Sequence, residues 1–541
     1  MTSTDRRAEP GHDVRQPGRW LALSVLVLAV LLVAVDATVL GLATPFLSED
    51  LKPSGPQLLW IGDIYSFVIA GLLVSMGSLG DRIGRKRLLL CGAVAFGAVS
   101  VLNAYASSPE MMIFARALLG VAGATLMPST LALIRNIFHD PRERSLAVGI
   151  WGAAASAGAA VGPVVGGFLL ENFWWGSVFL INLPVMAVLV LVGIKLLPES
   201  RDPNPGPWDV VSVLLSLVGM VAIVYAVKEA AANGFGLEIA GVAAVGVLAL
   251  VWFVRRQLTL DSPLLDIRLF HHRGFSGAVL ADLLTILGLS GLVFFLSQFL
   301  QLVQGRSPLE AGLIELPAAV GAVGAGLAGG PAAPPGAGGR PGARGRGAGG
   351  AAGPAAALGP PRGSVRSAVA VGLAAVGAAL AACVAITADT GVIALGIALF
   401  VGGLGAGLAF TVTADVILSS VPKEQAGAAS AVSETAYELG AALGIALLGS
   451  VVTGIYRGFE APAGLPAGVS EEAHDSLGGA VESAARLPAE QAAPMLSAAR
   501  DAFTDGFQTA AAVGSTVLFA TAVAAWFLLR GQRLEEGLEH P

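Results

Sequence analysis

The stretch Gly77-Ser-Leu-Gly80-Asp81-Arg82-Ile-Gly84-Arg85-Lys86-Arg87 decides how this chain folds. Its five charged residues stand between two apolar runs, 57–76 and 87–106, each long enough to cross a bilayer. Four cations within six residues cannot sit in hydrocarbon, so the stretch reads as a tight hairpin in water. Lys and Arg gathered in short loops mark the cytoplasmic side of a membrane.

Composition agrees with that reading. A chain of 541 residues with 55% hydrophobic and 13% charged residues is too apolar for a soluble multidomain protein, which leaves a polytopic membrane protein. The net charge of −6 informs little, because such a protein sorts its charges by side. Cys91 and Cys383 both fall in apolar runs and read as packing residues, with neither a disulfide framework nor a metal site implied. The polar tail 1–19 leads into an apolar run from Trp20 with no small-residue cleavage site, so the first span is expected to stay as an anchor.

Windows of about 20 apolar residues place fourteen predicted helices at 20–44, 57–76, 87–106, 110–134, 145–170, 174–197, 208–228, 236–254, 274–302, 308–329, 365–387, 391–419, 426–454 and 507–530. The expected class is therefore an all-α polytopic fold. With the N-terminus inside, the even-numbered loops and both tails hold 25 Lys and Arg, the odd-numbered loops hold 6, and Arg116 alone lies within a span. That asymmetry supports both the count and an orientation with both termini cytoplasmic. The long outer loop 456–505 is expected to form a small helical hairpin, with helices near 470–486 and 488–503. From Ala328 to Gly363 the chain uses only Gly, Ala, Pro and Arg apart from Leu358, a composition that can neither pack nor span. It reads either as an unstructured linker or as translation in a shifted frame. The second is favoured because all four residues have codons dominated by G and C.

Chemistry-bearing residues lie inside the spans. Asp36 sits deep in the first helix, where a carboxylate costs about 2.5–3.5 kcal/mol and so marks a functional position by default. Asp63 lies among Trp60, Tyr65 and Phe67 in the second. Asp282, Glu315 and Asp415 lie nearer helix ends or polar neighbours, and Glu434 and Glu438 share one helix face at a spacing of four. Arg116 needs a carboxylate or a wet cavity. In the fifth span, Gly158-Ala-Ala-Val-Gly162-Pro163-Val-Val-Gly166-Gly167 repeats small residues every four positions, which lets another helix approach, and Pro163 bends the helix.

The opening stretch resembles the loop 2–3 signature of the major facilitator superfamily, GxLxDRxGRxxx. Its counterparts here are Gly77, Asp81, Arg82, Gly84, Arg85 and Arg87, and in that family the Asp and Arg latch the two halves of a carrier at the inner gate. The segment around Pro163 is similar to the family's antiporter motif GPxxGG, and Ala115-Arg116-Ala-Leu-Leu-Gly120 to its fourth-helix motif, whose Arg is associated with proton coupling. With Leu59-Trp60-Ile-Gly-Asp63-Ile-Tyr65-Ser66-Phe67, Phe173-Trp174-Trp175-Gly176 and Ser433-Glu434-Thr435-Ala-Tyr437-Glu438, the chain resembles fourteen-span drug:proton antiporters of the EmrB/QacA type, in particular QacA/SmvA-like multidrug exporters.

The resemblance implies two six-helix bundles, 20–197 and 274–530, separated by an additional helix pair at 208–254 and flanked by the tails 1–19 and 531–541. It implies export of lipophilic cations such as quaternary ammonium biocides and dyes from the cytoplasm or inner leaflet of a bacterial cell membrane. Asp36 and Asp63 become candidates for proton and cation binding and Glu434 and Glu438 for the substrate side of the cavity, with Arg116, Glu315 and Asp415 added as candidates for proton coupling or substrate binding. The energy source is a proton gradient, with no cofactor, metal or nucleic acid involved, and a monomer is expected. Expelling a monocation against the membrane potential costs about 2.3 kcal/mol per 100 mV, so several membrane acids suit a proton-for-cation exchanger. Alternatives are export of an endogenous antibiotic or metabolite, or a non-transporting sensor or scaffold whose inner gate 328–363 has disabled. No soluble catalytic or nucleotide-binding stretch accompanies the spans, so an enzyme is not expected.

Overall fold

The computed structural model describes residues 18–138, 140–201, 209–234, 236–260, 263–265, 267–329, 365–420, 426–459 and 472–529. The anomalous segment 328–363, apart from its first two residues, thus lies outside the described residues, as do the C-terminal tail and residues 1–17 of the N-terminal one. Regular structure in the described residues is helical throughout. Within the membrane nothing but a helix satisfies its own backbone hydrogen bonds, short of a closed barrel.

The long helices are α1 (Arg19–Leu51), α2 (Gly55–Ile83), α3 (Arg85–Ala104), α4 (Pro109–Ile137), α5 (Pro141–Asn172) and α6 (Asn182–Leu196, preceded by a turn at Ser177–Leu180). They continue as α7 (Val210–Asn233), α8 (Leu237–Thr259), α9 (Arg273–Gln298, extended by a π turn at Phe299–Val303) and α10 (Pro308–Gly329). The last four are α11 (Val365–Cys383), α12 (Val392–Ser419), α13 (Ala426–Leu443, carried through a π turn at Gly444–Leu448 into Gly449–Tyr456) and α14 (Ala489–Leu528). Thirteen of them are long and apolar enough to cross a membrane among the described residues. The predicted span 145–170 falls on the fourteenth, α5. That helix is not one of the thirteen, although its 32 residues are long enough.

Local sequence explains where several helices begin. Ser54 caps α2 in a capping box with Gln57, and Ser108 caps α4, each followed by a proline at the start of the helix. At the α2–α3 turn the structure corrects the predicted hairpin. Helix α2 runs on through Asp81 and Arg82 to Ile83, and Gly84 alone makes the turn at φ 107°, a conformation that favours glycine. The outer hairpin 456–505 also differs from expectation. Leu477–Ala485 is a separate short helix, but the stretch predicted at 488–503 is continuous with the final span in the 40-residue α14. Cys383 is buried as expected, whereas Cys91 is exposed on the outside of the bundle.

Helices α1 to α6 pack as one group and α9 to α14 as a second. The groups meet where α2 crosses α13, α5 lies along α10 and α1 approaches α9. Helices α7 and α8 pair with each other, and α7 also touches α2 and α13. Helix α8 leaves Leu248, Val251 and Trp252 exposed, a face suited to lipid rather than water. The end carrying the α2–α3 turn is called the basic end below, and the opposite end the far end.

Candidate functional site

Asp36, near the middle of α1, is fully buried with Arg116 of α4. Their ion pair spans 3.1 Å, and the two side chains are 0% and 2% exposed. The second Asp36 oxygen accepts from Asn182 Nδ2 of α6 at 2.9 Å, and that amide also reaches Ser100 Oγ of α3 at 3.0 Å. Tyr65 of α2 lays its ring 4.7 Å from the guanidinium. Gly120 of α4 allows this convergence, because a Cβ there would stand 2.7 Å from the Tyr65 carbonyl oxygen. Five helices thus meet at one carboxylate. Desolvating two ions is costly unless geometry and further hydrogen bonds offset it, and here Asn182 and Tyr65 add that support.

The second membrane acid is also paired, with a cation that the sequence reading misplaced. Asp63 lies 2.7 Å from Lys228 Nζ of α7, both buried, and Lys228 sits 4.0 Å over the Trp60 ring. Lys228 is the last residue of the predicted span 208–228 and counts there with the odd-numbered loop that follows. The helix instead continues to Asn233, so Arg116 is not the only basic residue within the spans. The sole hint in sequence is that Lys228 follows Val224, Tyr225 and Val227 without a turn residue.

The acids of α9, α10 and α13 carry no such partners. Asp282 is buried and accepts from Thr413 Oγ1 of α12 and from Ser433 Oγ of α13, the latter at 3.0 Å. Glu434 lies within electrostatic reach of Asp282. Glu438, one turn along, reaches Ser66 of α2, and its charge bears on Tyr65 together with Asp36 and Arg116. Glu315 of α10 is buried, with Oε1 unpaired among the described residues. The Asp415 side chain lies outside the described residues. No ion pair joins Asp282, Glu315, Glu434 or Glu438 to a cation among the described residues. The structure therefore brings Asp36 and Arg116 together against the Tyr65 ring, with Glu438 at Ser66 on the same helix α2, and places Glu434 next in sequence to the Ser433 that bonds Asp282. Sequence reasoning had set Asp282 aside for its place near a helix start, yet it has the more elaborate cage.

At the basic end, Asp81 bonds Arg85 within its own motif, at 2.7 Å. Glu199, just after α6, accepts from the Lys86 backbone N–H at 3.3 Å and pairs with Arg87 at 3.5 Å. The Arg85 N–H donates to the Ser200 carbonyl at 2.8 Å. The gate motif is thus docked on the end of α6, in its own group of helices. Glu199 was not foreseen as its partner.

The antiporter motif makes two seams. Gly158, Gly162 and Gly166 face Leu31, Thr38 and Val39 of α1, while Gly167 faces α10, where an added Cβ would lie 2.6 Å from Leu309 Cα. Gly312 of α10 packs on the Pro163 carbonyl. Backbones approach this closely only where side chains are absent, which is the role of small residues at four-residue spacing. Helix α5 is the spacer between the two groups.

At the far end, Lys52 pairs with Glu482 at 2.6 Å and Gln301 Nε2 donates to the Leu42 carbonyl at 3.1 Å. Both contacts run between the groups. A groove of 520 Å³ opens at the same end between Val303, Thr387 and Arg500, away from the buried acids.

A model of the Major Facilitator Superfamily matches residues 26–445. The chain is 46% identical over 518 residues to the multidrug efflux pump LfrA of Mycolicibacterium smegmatis, covering 95% of this chain and 97% of that protein. It is 36% identical over 533 residues to the methyl viologen resistance protein SmvA of Salmonella typhimurium, covering 95% and 99%. A bacterial homolog of the human lysosomal transporter Spinster, solved inward-facing and unoccupied, shares the fold with a TM-score of 0.65 at 16% identity, covering 96% of this chain and 100% of that one. By the match over most of its length and by this architecture, the chain belongs to the Major Facilitator Superfamily.

Proposed function

We propose that the chain is a proton-coupled antiporter that exports lipophilic organic cations from the cytoplasm or inner leaflet across a bacterial cell membrane. The observation that carries the reading is the set of membrane carboxyls without a cationic partner among the described residues: Asp282 and Glu315, which are buried, and Glu434 and Glu438, which are half-buried. A buried acid without a cation must bind a proton or receive a positive charge from elsewhere. Proton and organic cation then compete for the same groups, and exchange follows by mass action without a dedicated relay. Asp36 is instead compensated by Arg116, so its part is to be released or retightened as the helices move.

The name of the relative SmvA supports the substrate class, since methyl viologen is an organic cation, while that of LfrA supports drug efflux in general. In this reading α1–α6 and α9–α14 are the two six-helix halves, 20–197 and 274–530, with α7–α8 as the additional pair and both termini cytoplasmic. The contacts at Lys52, Gln301 and Gly167 hold the outer side closed.

The deciding experiment is ethidium efflux from right-side-out vesicles under an imposed pH gradient. Efflux should collapse when the gradient is dissipated and fall at least about tenfold in Glu434→Gln. Efflux that ignores the gradient would remove proton coupling. Absence of ethidium transport and of transport of other lipophilic cations would remove the substrate class.

A further inference from the structure

Lys228 stands where a free organic cation would also be well held. Its ammonium is 2.7 Å from Asp63 Oδ2 and 4.0 Å from the centre of the Trp60 ring, and Phe67 extends the aromatic wall 6.5 Å from Trp60. A carboxylate beside an indole face attracts alkylammonium and quaternary ammonium groups through charge and ring quadrupole together. Here the chain supplies the ammonium itself.

Three features separate this pair from a fixed structural bridge. Both Asp36 oxygens are hydrogen-bonded, to Arg116 and Asn182, whereas Asp63 Oδ1 is buried without a hydrogen-bond partner among the described residues. Asp63 also lies on the seam between the helix groups. Its neighbour Gly62 is packed so that an added Cβ would stand 3.1 Å from Ile445 and 3.2 Å from Phe294, and Val224 of α7 packs with Phe67, Ala442 and Ala446. Finally, lysine carries a compact charge on a flexible stem, which can leave and return while α7 stays docked, unlike the rigid fork of arginine.

We propose that Lys228 is a tethered competitor: it fills the Asp63–Trp60 cation subsite when substrate is absent and is displaced by an organic cation passing along the seam. The subsite then never presents a bare carboxylate to the membrane interior, and the returning lysine helps to eject the departing cation. This rests on the reading of the chain as an organic-cation exporter.

The test uses full-length protein in nanodiscs, with ethidium as the probe. Lys228→Met should bind ethidium about tenfold more tightly than wild type, Lys228→Arg, whose fork is harder to displace, should bind it more weakly than wild type, and adding Asp63→Asn to Lys228→Met should abolish the gain. Unchanged affinity in Lys228→Met, or a gain that survives Asp63→Asn, overturns the proposal. A second measurement needs no variant. Saturating ethidium should raise the rate at which acetic anhydride modifies Lys228 in wild-type protein, read by peptide mass spectrometry, and an unchanged rate overturns the proposal equally. Wild-type protein that neither binds nor exports ethidium sinks the exporter reading and this inference with it. Export by wild type with no tightening in Lys228→Met sinks the tethered competitor alone.

Discussion

Arg116→Ala would leave the Asp36 carboxylate deep in the bundle with Asn182 as its remaining side-chain donor. Breaking a buried pair by removing one partner costs about 3–5 kcal/mol, so the variant should melt well below wild type in a thiol-reactive thermal assay. Removing both charges, as Asp36→Asn with Arg116→Gln, should recover much of that loss while leaving efflux dead. Recovery of stability without recovery of transport separates packing from coupling. Outside the membrane, Asp209 caps α7 and bonds Arg256 of α8 at 2.9 and 3.0 Å. Burial raises its pKa, but the bonds from Arg256 and Ser212 prevail and hold it at about 2. Because the folded value lies below the ordinary one, this cap stabilises fully above about pH 4 and is lost as pH falls through 2. The protection factor for hydrogen exchange at the start of α7, corrected for intrinsic rates, should therefore be high at pH 4 and fall near pH 2, and in Asp209→Ala it should be low at both.

Helices differ in how openly their sequences declare them. The turn between α2 and α3 was legible because charge and glycine coincide, though only the structure shows it contracted to Gly84. Arg116 was legible as a cation inside an apolar run. Lys228 was not, because the pair Lys228-Glu229 closes the strongly apolar run and makes the helix look finished one turn early, although Ala230, Ala231 and Ala232 carry it on to Asn233. Asp282 was undervalued for a different reason. Its cage comes from α12 and α13, more than 130 residues away in sequence, and no local pattern announces such a meeting. The glycines of α5 were read as a contact stripe, but that they face two different helices depends on how the groups pack. Gly162→Val would drive a branched side chain into Thr38 and Val35 of α1. Overpacking of that kind costs about 1–3 kcal/mol, and we expect reduced thermal stability together with loss of efflux. Gly158→Ala, against the Leu31 carbonyl, should act in the same direction.

For the molecule as a whole, the contacts between groups at the far end mark one of two arrangements that a carrier must visit. The short helix Leu477–Ala485 belongs to the second group, yet an added Cβ on Gly478 would lie 2.5 Å from Ser48 Cβ of α1. In a background lacking Cys91 and Cys383, the pair Lys52→Cys and Glu482→Cys, at positions whose native side chains meet at 2.6 Å, should be joined by a short reducible bis-methanethiosulfonate cross-linker. Efflux should then stop and return on reduction, while either single substitution stays active. Continued efflux with the cross-link intact, shown by gel shift, would mean that this end need not open. Helix α14 gives the same motion a lever. Its 40 residues reach about 60 Å, twice the roughly 30 Å of a hydrocarbon core, so a stalk of it stands clear of the bilayer. Rocking of the helix group that moves the embedded part slightly sweeps the outer end, together with the Leu477–Ala485 helix packed on it, through a wider arc. A spin label near Glu490 would therefore serve as the pointer of a gauge whose mechanism is hidden in the membrane.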